Sequence, residues 1–256
     1  MSPTPSSPKF IASTLGLALI ATATGAQAWT SSSISLLTGS SYVSPDFSGA
    51  GNHSEFDATI ATFEMANGWA YGDNFFFFDY TNAEGEGDTD TGLYGEFAPR
   101  LSFGKISGTD LGFGPVTDVL LAGQIEMAPE GGGSRYLYGL GFDLAVPGMD
   151  YLQLNTYARD DKNIPGDTWQ VTLVWGSSFE IAETNWLFKG HLDYAGAEGD
   201  NEKTINSAPQ LLLDVGDFWG ASDKLYAGIE YQYWKNKYGV EGADEHNPQL
   251  MVTWKL

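Results

Sequence analysis

Cysteine is absent from the 256 residues, and basic residues are scarce, with 12 Lys and Arg against 33 Asp and Glu. The first absence excludes disulfide scaffolds, thiolate metal sites and cysteine nucleophiles. The second leaves a formal net charge of -21, which cannot neutralise a run of phosphates and therefore excludes a nucleic-acid polymer as partner. What is abundant is glycine, with 32 residues, and aromatic side chains, at 14%. That mixture favours β-structure.

Histidine is also rare, and this bears on catalysis. The three histidines are His53, His191 and His246, and neither H-E-x-x-H nor G-x-S-x-G occurs in the chain. The acidic residues show no spacing typical of a calcium loop. We therefore expect no enzymatic activity, no metal site and no cofactor.

The N-terminus is typical of a secretory signal peptide. Lys9 precedes an apolar stretch from Phe10 to about Ile20, and Ala26-Gln27-Ala28 matches an A-x-A cleavage site. The alternative, a membrane anchor, is disfavoured because a spanning helix needs about 20 apolar residues. We expect residues 1–28 to be removed on export and residues 29–256 to form one domain.

Beyond the signal peptide, hydrophobicity alternates with period two rather than with a helical period. In 185–194, for example, Trp186, Phe188 and Leu192 share one face while Lys189 and Asp193 share the other. The pattern predicts an all-β chain with twelve strands, at 31–43, 55–66, 69–80, 91–103, 116–127, 135–144, 151–159, 167–179, 185–194, 205–215, 224–234 and 247–256.

The predicted connections alternate between short turns, such as Asn67-Gly68, and longer loops rich in acidic residues and glycine, such as 81–90. This is how outer-membrane barrels are organised, and an even strand number puts both termini on the periplasmic side. A secreted soluble sandwich would also alternate. The barrel is favoured because aromatic residues lie near strand ends and because some strand faces mix opposite charges, such as Glu96 with Arg100.

Several short motifs, in this order, resemble the nucleoside-specific channel-forming outer-membrane proteins, the Tsx/OmpK-type porins. They are Gly68-Trp69 with Gly72-Asp73, Tyr94-Gly95-Glu96-Phe97 with Pro99-Arg100-Leu101-Ser102, Thr109-Asp110-Leu111-Gly112-Phe113-Gly114-Pro115, Leu137-Tyr138-Gly139 with Gly141-Phe142-Asp143, Asp167-Thr168-Trp169-Gln170, and Glu230-Tyr231 with Tyr233-Trp234-Lys235-Asn236-Lys237-Tyr238-Gly239. The resemblance implies a monomeric twelve-stranded barrel in the Gram-negative outer membrane, in contact with lipid and lipopolysaccharide. It also implies passage of nucleosides and, in some members, a role as phage or bacteriocin receptor. Leu256 departs from the Phe with which such barrels commonly end.

Strand parity predicts which residues face the lumen and line a substrate path: Asp73, Phe75, Phe77, Asp79, Glu96, Arg100, Glu126, Arg135, Asp143, Tyr157, Arg159, Lys189, His191, Asp193, Glu230 and Trp234. Aromatic faces stack a nucleobase, while ionisable groups bond the sugar and the base edge. Two alternatives stay open. The run Phe75–Phe78 also fits a lipid-facing girdle, and each charged pair also fits a brace of the barrel wall.

Two functions are therefore compared. The first is a channel that passes nucleosides and similar small solutes by facilitated diffusion through a narrow lumen. The alternative is a receptor or adhesion-type barrel with a plugged lumen, which the short predicted loops disfavour. The acidic loop residues fit either solvated charges or ligands of divalent cations that bridge lipopolysaccharide.

Overall fold

A computed structural model describes residues 28–49, 51–84, 91–128 and 133–256. The predicted signal peptide lies outside these residues, apart from Ala28. In the described ranges no helix is both long and apolar enough to span a bilayer.

The architecture is all-β, as the period-two pattern predicts. The strands are β1 (Trp29–Ser44), β2 (Ser54–Trp69), β3 (Gly72–Glu84), β4 (Gly92–Ser102), β5 (Val116–Met127), β6 (Ser134–Leu144), β7 (Tyr151–Asp161), β8 (Thr168–Ile181), β9 (Thr184–Ala195), β10 (Thr204–Ser207 and Gln210–Asp214), β11 (Leu225–Lys235) and β12 (Glu245–Lys255). A five-residue helix, α1 (Phe103–Ser107), and two 3-10 turns, Gly216–Trp219 and Lys237–Gly239, lie in the connections.

The sheet closes on itself. Each strand pairs antiparallel with its sequence neighbour, and β1 pairs with β12 through Ser33↔Lys255 to Thr38↔Leu250. The predicted twelve-stranded barrel is therefore confirmed. Closure leaves no strand edge unpaired, which is the condition for a sheet to exist in lipid.

One connection and one strand differ from the predictions. The predicted turn at Asn67-Gly68 is wrong. Both residues lie in β2 and pair with β1 and β3, and the chain reverses at Ala70-Tyr71. Gly68 instead makes room for an aromatic ring, since a Cβ there would lie 2.1 Å from Nε1 of Trp29. The segment 205–215 is one strand in register but is interrupted at Ala208-Pro209, where proline has no N–H for the ladder.

Alternating burial separates the two faces of the wall. On β12, Glu245, Asn247, Gln249, Met251 and Thr253 are buried, and the residues between them are exposed. Large apolar residues dominate the exposed face, including Leu250, Val252 and Trp254 on β12 and Leu36 on β1. The barrel is thus apolar outside and largely polar inside, which is the arrangement of a barrel in a membrane.

Candidate functional site

The candidate site is the interior of the barrel, and side-chain contacts identify which face is the interior. Nζ of Lys189 on β9 lies 2.8 Å from Oε1 of Glu64 on β2. These strands are five apart around the barrel, so the pair spans the enclosed space. Because side chains alternate between the two faces of a strand, the register then assigns all remaining strand positions to the inner or the outer face.

All sixteen residues predicted to face the lumen share the inner face. By register they are Asp73, Phe75, Phe77 and Asp79 on β3, Glu96 and Arg100 on β4, Glu126 on β5, Arg135 and Asp143 on β6, Tyr157 and Arg159 on β7, Lys189, His191 and Asp193 on β9, and Glu230 and Trp234 on β11. Their role in a substrate path stays a prediction.

Arg100 is the centre of the first inner cluster. Its side chain is 4% exposed, its Nε and Nη2 donate to the two carboxylate oxygens of Asp73 at 2.8 and 2.7 Å, and its Nη1 donates to Asp143 at 2.8 Å. The same-face residue Glu96 is not its partner. Because Asp73, Arg100 and Asp143 lie on β3, β4 and β6, the guanidinium ties together a four-strand section of the wall.

The second cluster surrounds the carboxylate of Glu126 on β5, which is buried. Arg159 approaches it at 3.3 Å and Arg135 at 3.5 Å, while Arg135 also donates to Asp161 at 2.5 Å. The Arg159 guanidinium also donates to Gln170. Arg135 is therefore held between two carboxylates, and Arg159 between the Glu126 carboxylate and the Gln170 amide oxygen.

Two further carboxylates sit beside this cluster. Glu96 accepts hydrogen bonds from the Tyr94 hydroxyl at 2.5 Å and from Gln124 at 2.9 Å. Asp193 accepts hydrogen bonds from Thr172 at 2.5 Å and Gln170 at 3.2 Å. These carboxylates present acceptor oxygens to the lumen while neutral donors hold them in place.

On the opposite wall, neutral amides hold a carboxylate. Glu230 accepts from Gln210 at 2.7 Å and Gln249 at 3.4 Å, and Gln249 accepts from the Tyr42 hydroxyl at 2.6 Å. This chain links β1, β12, β11 and β10 and crosses the closure of the barrel.

The remaining predicted residues are held in separate contacts. Asp79 accepts from Thr62 at 2.5 Å, and Nε2 of His191 lies 3.9 Å from Asp193. Trp234 donates from Nε1 to Thr204 at 2.8 Å and packs edge-on against Tyr238 at 4.7 Å between ring centroids.

The four consecutive phenylalanines of β3 divide between the two faces. Phe75 and Phe77 share the face of Asp73, with ring centroids 5.9 Å apart, and Phe77 lies 5.9 Å from the ring of Tyr94. Phe76 and Phe78 lie on the outer face, where both pack against Phe63. The run therefore contributes both to a lipid-facing surface and to an inner aromatic strip.

The loops between β9 and β10 and between β11 and β12 turn polar groups inward at one end of the barrel. Lys237 lies 2.6 Å from Glu245, which also accepts from the backbone N–H of Val43 at 2.7 Å. Glu198 accepts from the backbone N–H of Asp161 at 3.2 Å, and burial raises the pKa of its carboxyl above the ordinary value.

The interior is not polar throughout, contrary to the general rule that such lumens are polar. Leu37, Leu212, Tyr226 and Met251 form a buried cluster on the inner face, and Ile60 and Leu187 pack against it. On the other wall, Ala122, Leu137 and Tyr157 form a smaller one. The first cluster joins the inner faces of β1, β2 and β9–β12.

Sequence reasoning missed several of the inner residues that the network uses. Glu64, Tyr42, Tyr94, Gln170 and Gln249 belong to this group. Glu64 had a detectable signal, since it alternates with Phe63 and Met65 in a predicted strand. Tyr42 lies beyond a register shift between Gly39 and Tyr42, so parity counted from the start of β1 fails for it.

The chain resembles known proteins in both sequence and fold. Residues 43–254 match the family described as "Nucleoside-specific channel-forming protein, Tsx". The chain belongs to this family. The Tsx match spans nearly the whole barrel, from the end of β1 to the end of β12, so the family resemblance drawn from short motifs is confirmed.

The individual relatives are distant outer-membrane proteins. Outer membrane protein OmpK of Vibrio parahaemolyticus is 27% identical over 172 residues, which is 64% of each chain. The OmpK protein of Vibrio parahaemolyticus serotype O3:K6 is 27% identical over 170 residues, or 60% of each chain. The chain thus spans somewhat less than two thirds of the length of these curated relatives.

Among solved structures, the KdgM porin shares the fold. It superposes with a TM-score of 0.50 at 8% sequence identity, covering 87% of this chain and 98% of that chain. At this identity the likeness concerns architecture only. Family and fold together identify the chain as a twelve-stranded barrel of the Tsx family.

Proposed function

We propose that the barrel is an outer-membrane channel that passes nucleosides and similar small solutes by facilitated diffusion. The supporting observation is the inner strip Phe75, Phe77 and Tyr94, which stands beside the carboxylate of Glu96 in a member of the Tsx family. Aromatic faces stack a nucleobase for about 1–3 kcal/mol per base. Carboxylates at the end of the strip accept hydrogen bonds from ribose hydroxyls.

The proposal includes the setting of the channel. The chain is exported to the Gram-negative outer membrane after cleavage behind Ala28, both termini face the periplasm, and one copy forms the channel in contact with lipid and lipopolysaccharide. N-terminal sequencing of outer-membrane material checks the first step, and a mature chain that starts at a residue other than Trp29 contradicts it.

The experiment for the function is ion current through single channels in planar bilayers, with and without added nucleoside. A solute that binds inside and still leaves should partly block the current of the parent. The double variant Phe75→Ala/Phe77→Ala should lose most of this block, because the stacking surface is gone. The matched control is Phe76→Ala/Phe78→Ala, which removes two rings from the same strand on the outer face and should keep the block.

The outcomes separate the roles clearly. Equal block in the inner variant and the parent would discard the two rings as the stacking surface. A parent that conducts ions but shows no nucleoside block would discard the nucleoside channel itself.

One observation favours the second candidate, a receptor-type barrel with an occluded lumen. The buried cluster of Leu37, Leu212, Tyr226 and Met251, with Ile60 and Leu187 packed against it, places apolar side chains on the inner face of six adjacent strands. Such a barrel would act through its outer loops, as a phage or bacteriocin receptor does. Folded protein that inserts into bilayers without conducting ions would favour this candidate over the channel.

A further inference from the structure

The ion pair between Lys189 and Glu64 differs from the other inner ion pairs in its span. Arg100 with Asp73, and Arg135 with Glu126 and Asp161, join adjacent strands, while Arg100 with Asp143 and Arg159 with Glu126 skip one strand. Lys189 and Glu64 lie on β9 and β2, five strands apart around the barrel. The arginine pairs therefore lie along the wall, whereas the pair of Lys189 and Glu64 crosses the lumen.

The residues paired in register with each of the two charges are uncharged. The register partners of Lys189 are Gly176 on β8 and Gln210 on β10, and those of Glu64 are Ser33 on β1 and Phe77 on β3. Ser33 is small, which leaves room for Glu64 to extend inward, whereas the ring of Tyr151 covers Gly176 beside Lys189, where a Cβ would lie 2.2 Å from it. Each charge therefore has its direct counterion across the lumen rather than at its own level of the wall.

The apolar cluster adjoins this bridge. Leu187 and Lys189 are consecutive inner positions on β9, and their partners Leu212 and Gln210 are consecutive inner positions on β10. Leu187 and Leu212 pack in the cluster with Leu37 and Met251. Apolar constrictions oppose the passage of water and ions by dewetting, and a charged bridge next to one holds the two walls together.

We propose that Lys189 and Glu64 form a cross-lumen bridge that sets the narrowest opening of the channel and thereby limits the size of solutes that pass. The inference rests on the proposed channel function, and it adds the residues that determine size selectivity. A solute passes this level only beside the bridge or by separating its two charges. The bridge costs little to break compared with a dry ion pair, since the side chains of Lys189 and Glu64 remain 16% and 32% exposed.

The test compares the parent with Glu64→Gln, Lys189→Gln, Glu64→Lys and the charge exchange Glu64→Lys/Lys189→Glu. Unitary conductance in potassium chloride and the largest polyethylene glycol that enters the pore are measured without nucleoside. Heat-modifiable migration on gels selects the folded barrels. The control is Lys162→Gln, which removes a lysine from an exposed ion pair with Asp160.

The two glutamine variants should conduct more than the parent and admit larger polymers, and Glu64→Lys should exceed both because two lysines repel. The charge exchange should return conductance and polymer size to the parental values, while Lys162→Gln should leave them unchanged.

Parental values in all folded single variants would overturn the proposal. A charge exchange that keeps the wide pore of Glu64→Lys would also overturn it, because the charges would then act separately. The result is independent of substrate. If nucleosides do not block the parent but Glu64→Lys widens the pore, the nucleoside channel fails and the bridge stands.

Discussion

Replacing Arg100 by methionine should destabilise the folded barrel more than any other single charge removal inside it. The guanidinium is 4% exposed and makes three hydrogen bonds of 2.7–2.8 Å to two carboxylates on different strands. Removing one partner of a buried ion pair costs about 3–5 kcal/mol, because the remaining charge is left buried without a counterion. Asp73 and Asp143 keep 19% and 31% exposure, so the expected loss is at the lower end, about 3 kcal/mol.

The assay is unfolding in guanidinium chloride from phospholipid vesicles, followed by tryptophan fluorescence and by heat-modifiable migration. The triple variant Arg100→Met/Asp73→Asn/Asp143→Asn should recover most of the loss, because it removes all three charges and leaves groups of similar volume. Lys162→Met, which breaks an exposed pair, should leave the stability nearly unchanged. A loss below about 1 kcal/mol in Arg100→Met would refute the reasoning, since it would mean that lumen water solvates the two carboxylates as well as the guanidinium does.

Three further predictions concern the wall and the charge of the lumen. Cysteine at Asp193 should react with a hydrophilic thiol reagent and cysteine at Phe188 should not, because the first faces the lumen and the second the outside. The chain has no native cysteine that would also react. Reversed labelling would mean a register error of one residue. Gly139→Ala should impair assembly, because its Cβ would lie 1.8 Å from the Thr156 carbonyl oxygen. Gly123→Ala should be tolerated, because the nearest contact of its Cβ would be at 3.8 Å. Equal yields of folded barrel for the two variants would contradict this prediction. The channel should prefer cations over anions, because inner carboxylates outnumber inner cations; these carboxylates include Glu64, Asp79, Glu96, Asp193 and Glu230. The measurement is the reversal potential in a salt gradient, and a sign that indicates anion preference would contradict this prediction.

The strands and the inner face could be predicted because both depend on local alternation. In 185–194 the alternation of polarity predicts that Lys189, His191 and Asp193 face inward, and they lie inward in β9, although Leu187 on the same face is apolar. The short turn before β3 was misplaced because Asn67-Gly68 has the composition of a hairpin turn. Gly68 is needed instead for the close approach of Trp29.

The partners of the inner charges could not be predicted in the same way. Arg100 binds Asp73 and Asp143 rather than Glu96, and Lys189 binds Glu64 rather than Asp193. These choices depend on the stagger between strands and on how the barrel closes, and the Lys189–Glu64 pair joins residues 125 positions apart. The apolar cluster has the same origin, because Leu37 and Met251 meet only where the first and last strands pair.

The seam between β1 and β12 also has a consequence for how the molecule folds. It joins Ser33 to Lys255, so the contacts that close the barrel are among the most distant in the chain and carry the largest loop-closure entropy. Until they form, β1 and β12 each expose an unpaired edge that invites pairing with another molecule. We therefore expect closure to be the slow, aggregation-sensitive step of assembly, and substitutions along Ser33–Thr38 should slow folding more than they speed unfolding.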